Sequence, residues 1–202
     1  MQEPFQPDLT KWDAWRPDEL VPRLADVHTP WYVAAGWAID LFLGCETREH
    51  DDLEIGVPRA RLSEVLDVLG EFEPVAVGDG LATPIANAGE QPESSHQTWI
   101  RERATGLWRL DVFSEPADVD TWLCRRDERI RLRYDDLIEH TANGIPYGRP
   151  EVVLLFKAKR TRPKDEADFA AVLPHLARAQ RRWLAEALEL VHPGHAWLTP
   201  LR

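Results

Sequence analysis

The stretch Thr47-Arg48-Glu49-His50-Asp51-Asp52-Leu53-Glu54-Ile55-Gly56-Val57 constrains the fold more than any other. From Asp52 onward the positions alternate. Leu53, Ile55 and Val57 point one way; Asp52, Glu54 and Gly56 point the other. This is the period of a half-buried strand, expected over residues 52–57. The apolar side needs a core. The other side carries two carboxylates roughly 6.5–7 Å apart. Anions this close repel unless a cation lies between them. A hard divalent ion such as Mg²⁺ suits them, since it takes oxygen ligands and keeps substrate phosphates in its shell. The alternative is an ordinary solvated strand face.

The preceding residues favour the metal. Val33-Ala34-Ala35-Gly36-Trp37-Ala38-Ile39-Asp40-Leu41-Phe42-Leu43-Gly44 predicts a helix over 35–43 that begins near a glycine and ends at Gly44. Glycine lets backbone approach a ligand, and a helix start offers free N–H groups to phosphate. A glycine-led helix followed by a D-x-E strand resembles the polymerase-beta-like nucleotidyltransferase superfamily. The longer string from Gly36 to Asp40, then Gly44, then Thr47 to Ile55, is similar to the aminoglycoside 2''-adenylyltransferase group. Ala35 stands where that group usually has the first of two glycines, and Cys45 where a basic residue is common.

The 202 residues suffice for one domain, or for a catalytic domain with a smaller helical lobe. A formal net charge of −11 argues against binding a nucleic-acid backbone, which needs clustered Lys and Arg. It favours a cationic small molecule, with Asp135 and Asp136 available to hold ammonium groups. Cys45 and Cys124 make no disulfide framework, and no Cys/His spacing suggests zinc. No apolar run reaches membrane-span length and Met1 to Thr10 lacks a signal-peptide core, so a cytoplasmic location is expected.

Along the rest of the chain, five prolines make residues 1–30 an irregular arm with a short helix around Pro17 to Val27. An amphipathic helix is expected from Arg59 to Leu69, with Leu62, Val65, Leu66 and Leu69 on one stripe. Residues 74–77 read as a strand, 78–91 as turn and loop, and 97–103 as a strand. Leu107 to Phe113 is another strand, in which Asp111 is a lone carboxylate among apolar neighbours. Residues 122–127 and 129–134 read as a strand pair, whose Arg125 and Arg126 either reach phosphate or form a solvated face. Residues 144–148 read as a turn. Helices then start at Pro150, after Pro163 and near Ala177, the last running to Val191. The string from Pro150 to Lys159, with Arg162, Lys164-Asp165 and Asp168-Phe169, again resembles the adenylyltransferase group.

The resemblance implies an α+β fold: a nucleotidyltransferase mixed sheet flanked by helices (residues 1–148), followed by a small helical C-terminal lobe (149–202). It implies Mg²⁺-dependent transfer of a nucleoside monophosphate, AMP from ATP, to a hydroxyl of a small molecule. An aminoglycoside-like antibiotic leads as acceptor; a toxin-type enzyme modifying tRNA or protein is the alternative. Asp52 and Glu54 are the expected metal ligands, and Asp111 a third ligand or the general base. Gly36 and Trp37 at the helix start, Arg48 and His50 beside the strand, and Lys157 on the lobe are expected to hold phosphate.

Overall fold

The computed structural model describes residues 3–202. Its centre is an eight-stranded mixed sheet. The strands are β1 (Tyr32–Val33), β2 (Glu54–Pro58), β3 (Glu73–Gly78), β4 (Leu81–Pro84), β5 (Gln97–Arg101), β6 (Trp108–Glu115), β10 (Ile138–His140) and β11 (Pro146–Gly148). Their order is β10-β11-β1-β2-β6-β5-β3-β4. A second sheet joins β7 (Ala117–Asp118), β8 (Thr121–Leu123) and β9 (Arg131–Arg133). The helices are α1 (Pro17–Arg23), α2 (Ala35–Leu43), α3 (Leu62–Val68), α4 (Tyr134–Leu137), α5 (Pro150–Lys157), α6 (Pro163–Val172), α7 (Arg178–Val191) and α8 (Leu198–Leu201). Among the described residues no helix is long and apolar enough to cross a membrane.

The alternation in β2 works as expected. Leu53, Ile55 and Val57 are fully buried, while the side chain of Glu54 stays half-buried on the other face. Asp52 and Leu53 lie just ahead of the paired segment. β2 pairs antiparallel with β1 and parallel with β6, which sets Glu54 level with Asp111. Gly56 is required here, because a Cβ would run into the Tyr32 ring across the strand pair.

Two expectations need correction. Residues 78–91 are not all loop: β4 pairs with β3 through a tight turn at Asp79-Gly80, both at positive φ (52° and 78°). An Asp-Gly pair with this twist is a strong hairpin signal, masked here by the surrounding Gly, Pro and Asn. Residues 146–148 form β11 rather than a turn, held between β1 and β10. Gly148 allows that position, since a Cβ there would meet the Tyr32 ring at 2.9 Å.

The C-terminal helices follow the apolar pattern of the sequence. Val152, Val153, Leu154 and Leu155 of α5 are all buried, with α2, α6 and α7 packed round them. Phe169 and Val172 of α6 and Leu184, Ala187 and Leu188 of α7 complete that packing. They belong to the same hydrophobic cluster as Leu53 and Ile55 of the sheet. The arm is tied to the sheet by bridges from Phe5 to Ala82 and from Trp12 to Trp108.

Candidate active site

The site begins where α2 meets the sheet. The Ala34 N–H donates to the Glu54 carbonyl at 2.8 Å, fixing the helix start beside the carboxylate strand. No side chain caps α2. The N–H groups of Ala35, Gly36 and Trp37 are therefore helix-terminal donors without an intrahelical acceptor. Ala35 adopts φ +48°, a left-handed conformation that glycine takes without strain. The Cα face of Gly36 is covered by Arg48 and His50; a Cβ there would stand 2.7 Å from the imidazole.

Behind this turn lies a contact that the sequence reading gave no role. The buried Asp40 of α2 accepts from Thr47 Oγ1 at 2.5 Å and lies 2.6 Å from His50 Nε2. The His50 ring stacks on Trp37 at 4.4 Å and its side chain is 3% exposed. Asp40 thus latches the Thr47–His50 loop to α2. Trp37 and His50, expected at phosphate, serve this latch with their side chains.

The carboxylates gather beyond it. Asp111 is buried, and burial raises its pKa to about 8, with the Gln97 hydrogen bond opposing the rise and Asp52 adding to it. Gln97 Nε2 donates to Asp111 Oδ2 at 2.5 Å, while Asp111 Oδ1 is buried with no partner. Burial also pushes Glu54 well above the carboxylate range, reinforced by Asp52 and Asp111. Asp52 is raised by its burial as well. Lys164, which the sequence reading did not single out, opposes the shift at both Asp52 and Glu54, as Lys157 does at Glu54. Among the described residues no group of three or more His, Cys, Asp or Glu side chains is drawn together tightly enough to hold a metal ion. Hard oxygen donors on Asp52, Glu54 and Asp111, with Asp111 Oδ1 buried and partnerless, fit a divalent cation such as Mg²⁺.

Two cavities lie beside the start of α2, and Asp52 lines the second of them. The first, about 590 Å³, runs over Ala34, Ala35 and Phe113 towards α5. Its cations are Arg125, Arg126, Lys157, Lys159, Arg160 and Arg162, against Glu115 and Asp165. Arg125 Nε lies 3.2 Å from Glu115, and Arg126 donates to the Phe156 carbonyl at 2.7 Å. His96, also in the wall, has its pKa lowered to about 4, first by burial and then by Arg125. The second cavity, about 950 Å³, contains Asp52, Asp51, Glu49, Glu46 and Asp13 beside four tryptophans and Arg16. Asp135 and Asp136, offered from sequence as ammonium ligands, sit on α4 outside this wall.

Arg48 and Lys157 meet at Asp168. Lys157 Nζ lies 2.8 Å from Asp168 and 3.2 Å from Asp165, and Arg48 Nε lies 3.5 Å from Asp168. Both cations are thus engaged by α6 at the edge of the first cavity. Asp165 and Asp168 appear in the sequence motif, yet nothing in their spacing distinguishes them from ordinary helix-surface acids.

Comparison with known proteins agrees with this architecture. The family model described as aminoglycoside-2''-adenylyltransferase matches residues 18–91. The antibiotic-resistance factor ANT(2'')-Ia superposes with a TM-score of 0.53 at 16% identity, covering 86% of this chain and 89% of that one. ANT(2'')-Ia in complex with adenylyl-2''-tobramycin gives 0.52 at 15% identity, over 86% of this chain and 95% of that one. The lincosamide antibiotic adenylyltransferase LnuA with lincomycin bound gives 0.54 at 17% identity, over 77% of this chain and 92% of that one. No curated protein matches by sequence. The fold is that of these nucleotidyltransferases, as the resemblance implied.

Proposed function

We propose that this nucleotidyltransferase moves AMP from ATP to a hydroxyl of a small cationic acceptor, an aminoglycoside-like antibiotic being the leading candidate. The observation that carries the reading is a pair of oppositely charged cavities beside the start of α2, the acidic one lined by Asp52, which precedes the Glu54–Asp111 pair of β2 and β6. A triphosphate suits the cationic cavity, where the uncapped start of α2 adds backbone donors. A cationic acceptor suits the acidic one. That acidic wall disfavours a polyphosphate acceptor such as tRNA. The folds compared include ANT(2'')-Ia in complex with adenylyl-2''-tobramycin and a lincosamide antibiotic adenylyltransferase with lincomycin bound. Residues 1–148 act in this reading as the catalytic domain, and the helices of 149–202 as the lobe that covers the nucleotide.

The reaction joins the acceptor oxygen to the α-phosphorus, breaks the bond to the bridging oxygen and releases pyrophosphate. The hydroxyl proton goes to Asp111, whose Oδ1 is free and whose pKa lies near neutrality. Asp52 and Glu54 would hold Mg²⁺, which would supply charge neutralisation at the phosphoryl oxygens. Lys164 and the Lys157–Asp168 group hold the remaining charge at the cleft edge. The Asp40–His50 latch keeps the helix start and the carboxylate strand in one relative position.

The test is transfer of label from α-labelled ATP, with Mg²⁺, to a panel of aminoglycosides, lincosamides and total tRNA. AMP on a small hydroxyl-bearing amine is the expected product. Label found only on tRNA, or on nothing, would reject this reading.

A further inference from the structure

One cation inside the acidic cavity is out of keeping with its surroundings. Arg16, at the end of the N-terminal arm, places its guanidinium 4.9 Å over the ring of Trp37. Its Nη2 lies 2.9 Å from Glu46 Oε2. An aromatic face with a carboxylate beside it is a general recognition site for an organic cation. Both walls of the seat line the cavity that contains Asp52. Trp37 and Glu46 fall inside the stretch matched by the family model, residues 18–91, whereas Arg16 lies outside it. The arm therefore puts a cation of its own into a seat made by other parts of the chain.

We infer that the Trp37–Glu46 seat takes an ammonium or guanidinium group of the acceptor, and that Arg16 is a built-in competitor which the acceptor displaces. This rests on the reading of the acidic cavity as the acceptor site. The contact is weak enough to be exchanged. The Arg16 side chain is 55% exposed and that of Glu46 41%, so their ion pair is solvent-screened. A cation over a ring at such a site adds about as little. Removing Arg16 should then tighten cation binding roughly three- to tenfold. The fold does not depend on the side chain. The start of α1 uses the Arg16 backbone, whose N–H donates to Glu19 Oε2 at 2.8 Å and whose carbonyl accepts from Glu19 N at 3.1 Å.

The experiment titrates tobramycin and lincomycin, both amines, into the full-length chain by calorimetry at physiological salt. The variants are Arg16→Gln, Glu46→Gln, the two combined, and Lys11→Gln, which removes the same charge from the same arm outside the cavity wall. Arg16→Gln should bind at least one probe roughly three- to tenfold more tightly than wild type. The combined variant should lose that gain, and Lys11→Gln should match wild type. Equal or weaker binding by Arg16→Gln overturns the inference, as does an equal gain from Lys11→Gln or a gain that survives Glu46→Gln. Absence of probe binding in every variant overturns it too. Mg²⁺–ATP titrated into the same proteins reports on the nucleotide half separately. Failure there counts against the transferase reading and leaves the seat test intact.

Discussion

The two cavities make a useful contrast because one chain of net charge −11 builds both. The cationic cavity draws on the segment between β8 and β9, on α5 and on the turn after it, with Arg125 converging on Lys159 and Arg160 from a separate segment. The acidic cavity draws on the loop after α2 and on the arm. Net charge therefore describes the solubility of the surface and the far field, while local lining decides which ligand enters where. The acids that matter, Glu46, Glu49 and Asp51, lie beside the carboxylate strand in sequence. The acids of α4 contribute only to the total.

The carboxylate group gives the largest expected effect. Asp111→Asn keeps the shape and still offers an oxygen to Gln97, but removes the group that takes the proton. Turnover should fall by about 10²–10⁴-fold with the thermal midpoint maintained. Steady-state rates and a melting curve on the same preparation check this. A collapse of the fold would make Asp111 a structural residue.

The cavities themselves should separate under mutation. Lys159 and Arg160 are exposed, so Gln at both positions removes field without disturbing packing. The KM for ATP should rise several-fold and the KM for the acceptor should stay constant. Glu49→Gln combined with Asp51→Asn should do the reverse. Exposed charges contribute little individually, so each change is about three- to tenfold and shrinks with added salt. Crossed effects, with the acidic pair altering ATP, would break the division between the two sites.

The pH dependence follows from the raised carboxyl. Asp111 titrates at about 8 in the folded chain against 3.8 for the free group. The folded state thus binds this proton more tightly than the unfolded state. Stability is fully present below the free value and is lost as pH rises towards 8. In chelator, the thermal midpoint should drop by a few degrees from pH 5 to pH 8. Asp111→Asn should flatten that drop, and Mg²⁺ should offset it. A midpoint that climbs over this range would contradict the burial of the charge.

Much of this was legible in the residues. The period of two in Leu53–Val57 fixed which face Glu54 takes, and Pro150 and Pro163 marked the starts of α5 and α6. Local rules carry such features because the strand and the helix caps are local. The sorting of charges was illegible, because Arg125 and Arg160 come together only through tertiary packing. Trp37 and His50 show a subtler limit. Their motif positions lie beside the helix start, yet the His50 side chain turns to Asp40 and stacks on the Trp37 ring, which faces the acidic cavity instead. Spacing along the chain gives proximity to a site without giving the direction of a side chain.

The smallest effect concerns Ala35, the one departure from the glycine pattern that the structure marks with strain. Its φ of +48° lies where a Cβ crowds the following carbonyl, at a cost of about 1–2 kcal/mol for an L-residue. Ala35→Gly would remove that crowding and add freedom to the unfolded chain, which opposes the gain by about 0.4–1 kcal/mol. The net should be stabilising by about 0.5–1 kcal/mol, or roughly 1–4 °C in a chain of this size. Ala35 also lines the cationic cavity, at the uncapped start of α2. ATP affinity should therefore move with the backbone as well. If the left-handed turn is what aims the α2 donors, glycine preserves their aim and ATP binds at least as well as before. Ala35→Val, which carries a branched Cβ into the same conformation, should lower both the thermal midpoint and ATP affinity. A midpoint lowered by glycine would mean that Ala35 is not held at positive φ in solution, and that its methyl group contributes packing instead.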